Sequence, residues 1–376
     1  MAKTLEEHYG YLSDRVKLEK YQAAIDRLVR PEHVVLDLGC GSGLLGLMAL
    51  RAGARKVLFV EEDAIIEVAR QTVANMGFAD KAEFFKANSF KLELAERVDV
   101  ALCDHVGYFG FDYGVVELLA DAKDRFLKPG GTLIPAKIEL KLAPIESGEY
   151  RSLVDQWRNG SVPDEFAWVA STSANTKHSA NLEQENLLAD PATLTTIDLG
   201  AESAPFHSWD AEFTCTRDGT LDGLAGWFEC TLIDDIVMTN SPTAQECLAR
   251  PQAFLPLETP TAIKAGETVK ATVFARPADN VIGWVVTLPE TSTTFSHTTF
   301  NGMLLDKTAL TRSQPDRIAA LNDRGKAHQI VLSYCDGKRT VQEVQDLVQR
   351  EHPELFPSAQ ASSAFVVQTL SWGTGE

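Results

Sequence analysis

A chain of 376 residues, 44% hydrophobic and 23% charged, has the composition of a globular protein of two or three domains, which excludes a lone small domain, wholesale disorder and a fibrous repeat. Its 35 basic against 53 acidic residues leave a net charge of -18, a field that repels phosphate backbones and suits a protein or peptide partner rather than nucleic acid. The six cysteines form no CxxC pair or Cys/His cluster, so no metal site or disulfide framework is expected; with a charged N-terminus and no apolar run near the length of a membrane span, a cytoplasmic chain without signal peptide or membrane contact is expected.

In chain order, Val34 to Pro135 alternates β-rich runs ("HVVLDLG", "KVLFVEE", "AEFFKA", "VDVALCD", "GTLIP") with helical ones ("LLGLMALRAG", "AIIEVARQTVANMG"), the signature of a doubly wound parallel α/β sheet. Beyond Pro135, period-2 runs such as "GWFECTLI" and "ETVKATVFARP" predict an antiparallel sheet or barrel. Between them, Val154 to Pro191 is polar with scattered aromatics, as an exposed excursion or a partner-contacting arm would be. In the last portion "TVQEVQDLVQREHP" predicts a helix with Val341, Val344, Leu347 and Val348 on one stripe and a capping box between Thr340 and Glu343.

The most informative motif is "VVLDLGCGSG", in which an apolar strand runs into Asp37, Gly39, Cys40, Gly41 and Gly43 and then a helix. Glycines are needed where a backbone turns sharply and a ligand approaches the main chain at a helix start. A dinucleotide fingerprint wants glycine where Leu44 stands, whereas the acidic GxGxG form suits S-adenosyl-L-methionine, whose ammonium and sulfonium are cationic and which lacks a pyrophosphate. The next strand ends in Glu61 and Glu62, where a carboxylate can accept from both ribose hydroxyls. A different nucleotide, or a tight turn without ligand, are the alternatives for the glycines, and a solvated surface charge is the alternative for Glu62.

These residues resemble the protein arginine methyltransferases, class I S-adenosylmethionine-dependent enzymes. The similarity runs through "HYGYLSDRVKLEKYQAAI", the glycine loop, "CDHVGYFGFDYGVVELLADAKDRFLKPGGTLIP" and, more weakly, "AGWFECTLIDDIVMTNSP" and "FLPLETPTAIKAGETVKATVFARP", roughly residues 1–300. It implies a Rossmann-like methyltransferase domain (1–136), an antiparallel β-barrel domain (137–302) with a dimerisation arm near 154–191, and a homodimer. It also implies that His8 and Lys17 lie over the cofactor, that Asp37, Gly39 and Gly41 form its methionine-side loop, that Glu61 holds the ribose, and that Asn88 with Ser89 edges the adenine. The family's acidic adenine contact falls on Phe90.

That family presents two glutamates on the loop after the fourth strand. Here the first position is Asp104, followed by His105 in place of the usual tryptophan, and the second falls on Tyr113 or, with a one-residue slip, Asp112. The family's threonine-histidine-tryptophan motif has no counterpart near Ala244 to Gln252. Asp104, His105, Tyr108 and Asp112 are therefore the candidate catalytic or substrate residues, because they follow a central strand at its carboxyl end.

The tail, "LNDRGKAHQIVLSYCDGKRTVQEVQDLVQREHP", resembles the PqqD-like fold (RiPP recognition element), a small winged-helix module that binds the leader of ribosomally made peptides by adding a strand to its sheet. With residues 303–376 as such a domain, the expected activity is methylation of a histidine or arginine nitrogen on a precursor peptide recruited by its leader, leaving S-adenosyl-L-homocysteine. An orthodox protein arginine methyltransferase and an inactive leader-binding scaffold are the alternatives.

Overall fold

Asp14 divides the N-terminal helical run into α1 (Ala2–Ser13) and α2 (Arg15–Leu28): it leaves helical geometry, and its Oδ1 caps α2 by accepting from the Lys17 amide at 3.2 Å. The computed structural model describes residues 2–201, 204–312 and 314–373, in two units, Met1–Met303 and Leu304–Glu376. No helix among the described residues is long and apolar enough to cross a membrane.

In the first unit β1 (Val34–Leu38), buried at every position, leads into α3 (Leu44–Arg51), β2 (Lys56–Glu61), α4 (Ile66–Asn75), β3 (Ala82–Lys86), β4 (Val98–Leu102), α5 (Val115–Arg125) and β5 (Leu127–Ile134). The strands pair in parallel in the order β3-β2-β1-β4-β5. The order reverses between β1 and β4, and a crevice opens outside the carboxyl ends of neighbouring strands at such a switch point. The expected strand and helix succession is the one observed.

The chain continues through β6 (Lys137–Ile145), α6 (Gly148–Asp155), α7 (Val169–Ala174), β7 (His178–Ala180), β8 (Ala192–Asp198), β9 (His207–Thr214), β10 (Gly219–Ile233), β11 (Ile236–Thr239), β12 (Gln252–Ile263), β13 (Thr268–Arg276), β14 (Val281–Leu288) and β15 (Thr293–Thr298). The expected antiparallel β domain is built of two sheets, β7-β12-β10-β6-β8 with β11 on β10, and β15-β14-β13-β9. Their inner faces share one core containing Phe228 and Leu255 from one sheet and Phe213, Val269 and Trp284 from the other. Trp284 Nε1 donates to the Pro256 carbonyl at 2.9 Å, so the one polar atom of that buried ring is satisfied.

The segment 154–191 is no free-standing arm along its whole length. Arg151, just before it, donates to the Leu257 and Glu258 carbonyls of β12, and β7 pairs with β12, so both ends are anchored on the larger sheet. Its exposed apolar part is the stretch carrying Phe166 and Trp168, 50% and 61% accessible.

The second unit holds α8 (Lys307–Arg312), α9 (Asp323–Ser333), α10 (Val341–Glu351) and α11 (Ala359–Gly373). Val331, Val344, Val348, Val366 and Leu370 form its own small core. The capping box forms as expected, with the Thr340 amide donating to Glu343 at 2.7 Å. One expectation is corrected: Val341 is 50% exposed, because the first residue of α10 precedes the packed stripe. The described residues of this unit are helical or irregular, and the sheet that the PqqD-like resemblance implies is not shown among them.

Candidate active site

The glycine loop carries the site because its backbone turns into left-handed space three times, at Gly39 (φ 66°), Gly41 (φ 51°) and Gly43 (φ 79°), a region that costs side-chain-bearing residues energy. A Cβ on Gly39 would lie 2.3 Å from His105 Nε2, and one on Gly41 would lie 2.7 Å from His8 Cε1. Two imidazoles, one from the loop after β4 and one from α1, thus pack on the bare backbone of the loop. Asp37 beneath it is 1% exposed and accepts from the Gly46 amide at 2.7 Å; burial pushes its pKa up to about 7 against the effect of that hydrogen bond. Cys40 is buried, and burial pushes its thiol far up, which makes it packing rather than chemistry.

Beside the loop is a cleft of about 530 Å³ lined by Gly39, Glu61, Glu62, Asn88, Ser89 and His105, with Tyr113 and Glu117 across from β2. Glu61 ends β2 and accepts from the Gly41 amide at 3.1 Å and the Asp63 amide at 2.9 Å. Glu62 accepts from Asn88 Nδ2 at 3.0 Å, and Asn88 Oδ1 accepts from the Phe90 amide at 3.1 Å. Ser89 is buried, its carbonyl accepting from Arg125 Nη2 at 2.7 Å. Of the expected cofactor residues, Gly39, Glu61, Glu62, Asn88 and Ser89 line this cleft; His8, Asp37, Cys40 and Gly41 do not, although Gly41 donates to Glu61 and packs against His8. The glycine cradle and the acidic strand end fit a ligand with a cationic end and a ribose.

Lys17 does not line the cleft. Its buried Nζ donates to Asp104 Oδ2 at 2.8 Å and lies 5.1 Å from the Tyr11 ring centre. Asp104 is far from bare: Arg250 Nη2 lies 2.9 Å from each of its oxygens, and Tyr21 Oη, which donates to the Cys103 carbonyl at 2.9 Å, stands 3.4 Å from Oδ1. Burial works against ionisation, but Arg250 and then Lys17 outweigh it and hold the Asp104 carboxyl below the usual range.

Asp112 is likewise engaged. It accepts from the Tyr108 amide at 3.0 Å and from the Phe109 amide, and it pairs with Lys177 from the segment between α7 and β7. Lys177 Nζ lies 4.6 Å from the Tyr108 ring centre, and burial alone lowers its pKa to about 8. Tyr108 contributes mainly backbone, its carbonyl accepting from Asn240 Nδ2 at 2.8 Å; burial raises its phenol pKa. The structure therefore brings His105 and Asp112 to the cleft, with Asp104 adjoining through His105 and Tyr108 behind the loop.

This loop rests on the larger antiparallel sheet. A Cβ on Gly226 of β10 would meet the Phe109 ring at 2.3 Å, so the bare strand there lets the loop dock. Sequence reasoning missed Arg250, Lys177 and Glu117. For Arg250 a signal existed, since it lies in the Ala244 to Gln252 stretch where the expected tripeptide is missing.

Two family models match consecutive parts of the chain: ribosomal protein L11 methyltransferase over residues 22–143, and the arginine methyltransferase oligomerization subdomain over 136–284. The chain is 28% identical over 280 residues to protein arginine N-methyltransferase 1 of Chlamydomonas reinhardtii, covering 72% of this chain and 80% of that protein. It is 27% identical over 267 residues to the arginine N(omega)-methyltransferase of Streptomyces achromogenes subsp. streptozoticus, covering 70% and 74%. In fold it is similar to the Trypanosoma brucei PRMT1 enzyme-prozyme complex with AdoHcy (TM-score 0.69, 20% identity, covering 77% of this chain and 96% of that one). It is also similar to Arabidopsis thaliana protein arginine methyltransferase 10 (TM-score 0.68, 21% identity, 78% and 98%).

Proposed function

The chain is an S-adenosylmethionine-dependent methyltransferase with the fold of the protein arginine methyltransferases, and on that premise we propose that it methylates a side-chain nitrogen of a protein or peptide, with arginine as the acceptor. The observation that carries this reading is the meeting in one cleft of Glu61, at the end of β2, with His105 and Tyr113 from the loop after β4. The cofactor, when bound, supplies an electrophilic methyl group on a sulfonium.

What the chain itself must do is orient. Glu61 and Glu62 offer carboxylates to ribose hydroxyls, and Gly39 lets the backbone come close. Methyl transfer by in-line displacement then needs the acceptor lone pair delivered at roughly 3 Å with correct alignment. A carboxylate beside an arginyl acceptor holds positive charge on the nitrogens that do not attack, and Asp104, kept ionised by its cationic partners, is the group for this role.

A second acceptor, histidine, is favoured by one specific observation: Asp104 is already paired with both Lys17 and Arg250, while the cleft-facing His105 ring is available to hydrogen-bond a neutral imidazole. Peptides with a single arginine or a single histidine, incubated with enzyme and cofactor and mapped by fragmentation mass spectrometry, separate the two. If neither peptide gains a methyl group, the nitrogen-methylation reading falls. The exposed Phe166 and Trp168 further suggest a contact with a second copy of the chain.

A further inference from the structure

The guanidinium of Arg250 is built into its place from both sides. The amide of its neighbour Ala249 donates to Asp14 Oδ2 at 3.1 Å, tying it to the start of α2. The carbonyl of its other neighbour, Pro251, accepts from Asn240 Nδ2 at 2.7 Å, the nitrogen that also donates to the Tyr108 carbonyl. Held between these anchors, the Arg250 side chain is 11% exposed, spans Asp104 with Nη2 and reaches the Gly107 carbonyl with Nη1 at 3.3 Å. A cation on a carboxylate and a backbone carbonyl of the acceptor loop is the arrangement an arginyl side chain of a substrate would need there.

We propose that Arg250 occupies the guanidinium subsite of the acceptor pocket, so that an arginyl acceptor reaches Asp104 only by displacing it. Arg250 is thus a specificity-determining residue that sets the KM of an arginyl acceptor, which has to compete with it for Asp104. The proposal rests on the reading of Asp104 as the acceptor-side carboxylate. With Lys17 and Arg250 in place the cluster is already one positive charge in excess, and a third cation arriving without an exit for Arg250 would be repelled. Removing Arg250 does not orphan Asp104, because Lys17 still pairs with it and Tyr21 stands beside it, so the loop keeps its partners.

The test uses the full chain carrying Arg250→Ala, with Arg250→Gln as a second variant should the first fail to fold; unchanged S-adenosylhomocysteine affinity certifies the site. The probe is methylguanidinium at millimolar concentration, followed by ligand-observed NMR, alongside steady-state kinetics on the single-arginine peptide. The expected result is methylguanidinium binding to the variant and not to the wild type, abolished again in Arg250→Ala/Asp104→Asn. KM for the arginine peptide should fall at least about tenfold, with methylguanidinium competing against it. Equal probe binding to wild type and variant, or an arginine-peptide KM that stays level or rises, overturns the proposal. If methylguanidinium binds the variant alone but neither enzyme methylates arginine, the subsite assignment stands and the arginine reading of the acceptor fails instead.

Discussion

Arg250 and Asp104, which are 146 residues apart in the chain, meet at 2.9 Å through one guanidinium nitrogen and both carboxylate oxygens. With Lys17 on the same carboxylate, the acceptor loop is locked to α2 and to the segment before β12 at once.

That lock has an energetic consequence. Asp104→Asn leaves Lys17 and Arg250 buried without their counter-charge, and loss of one partner of a buried pair costs about 3–5 kcal/mol. Chemical denaturation should show a destabilisation of that order. The double variant Asp104→Asn/Arg250→Gln should be less destabilised than the sum of the two single changes. Additive effects would mean that the pair contributes little to the fold.

For the cofactor side, Glu61→Ala removes the carboxylate that accepts from the glycine loop and, in the proposed function, from the ribose. Loss of charge-assisted hydrogen bonds should weaken S-adenosylhomocysteine binding by about 1.5–3 kcal/mol, measured by calorimetry. Equal affinity in the two proteins would remove Glu61 from the site.

Asp37 predicts a pH signature. Burial raises its folded pKa to about 7, above the ordinary carboxylate value, so folding favours the protonated form. The associated stability is fully present below the unfolded pKa and is lost as pH rises through about 7. In thermal melts without cofactor, the wild type should lose stability between about pH 4 and 7 that Asp37→Asn retains, because the amide cannot ionise. Parallel pH profiles of the two proteins would show that the buried carboxyl is not the titrating group.

Phe166→Glu/Trp168→Glu should abolish self-association by placing charge on the exposed aromatic stretch. Light scattering across a dilution series is the measurement, and a wild type that is monomeric at micromolar concentration would sink the prediction.

Truncation after Met303 separates two units with their own cores. The shortened chain should bind S-adenosylhomocysteine within about twofold of the full chain, since every residue lining the cleft precedes it. A loss of cofactor affinity beyond tenfold would show that the tail supports the site.

The parallel sheet, the glycine loop and the placement of Glu61 and His105 were legible in the sequence because each is a local property, whereas Asn88 and Ser89 were expected only from the family resemblance. Hydrophobic periodicity marks strands and helices, left-handed turns call for glycine, and residues just past the ends of neighbouring parallel strands converge at a switch point. The helix α11 was not read from sequence, nor was the division of the antiparallel strands between two sheets, since strand pairing depends on long-range register rather than on any one run. Above all, Asp104 and Asp112 were legible as carboxylates at the right loop, yet their partners were not. Arg250 and Lys177 reach them only through the docking of that loop on β10, and an ion pair depends on distance through space, which spacing along the chain does not encode.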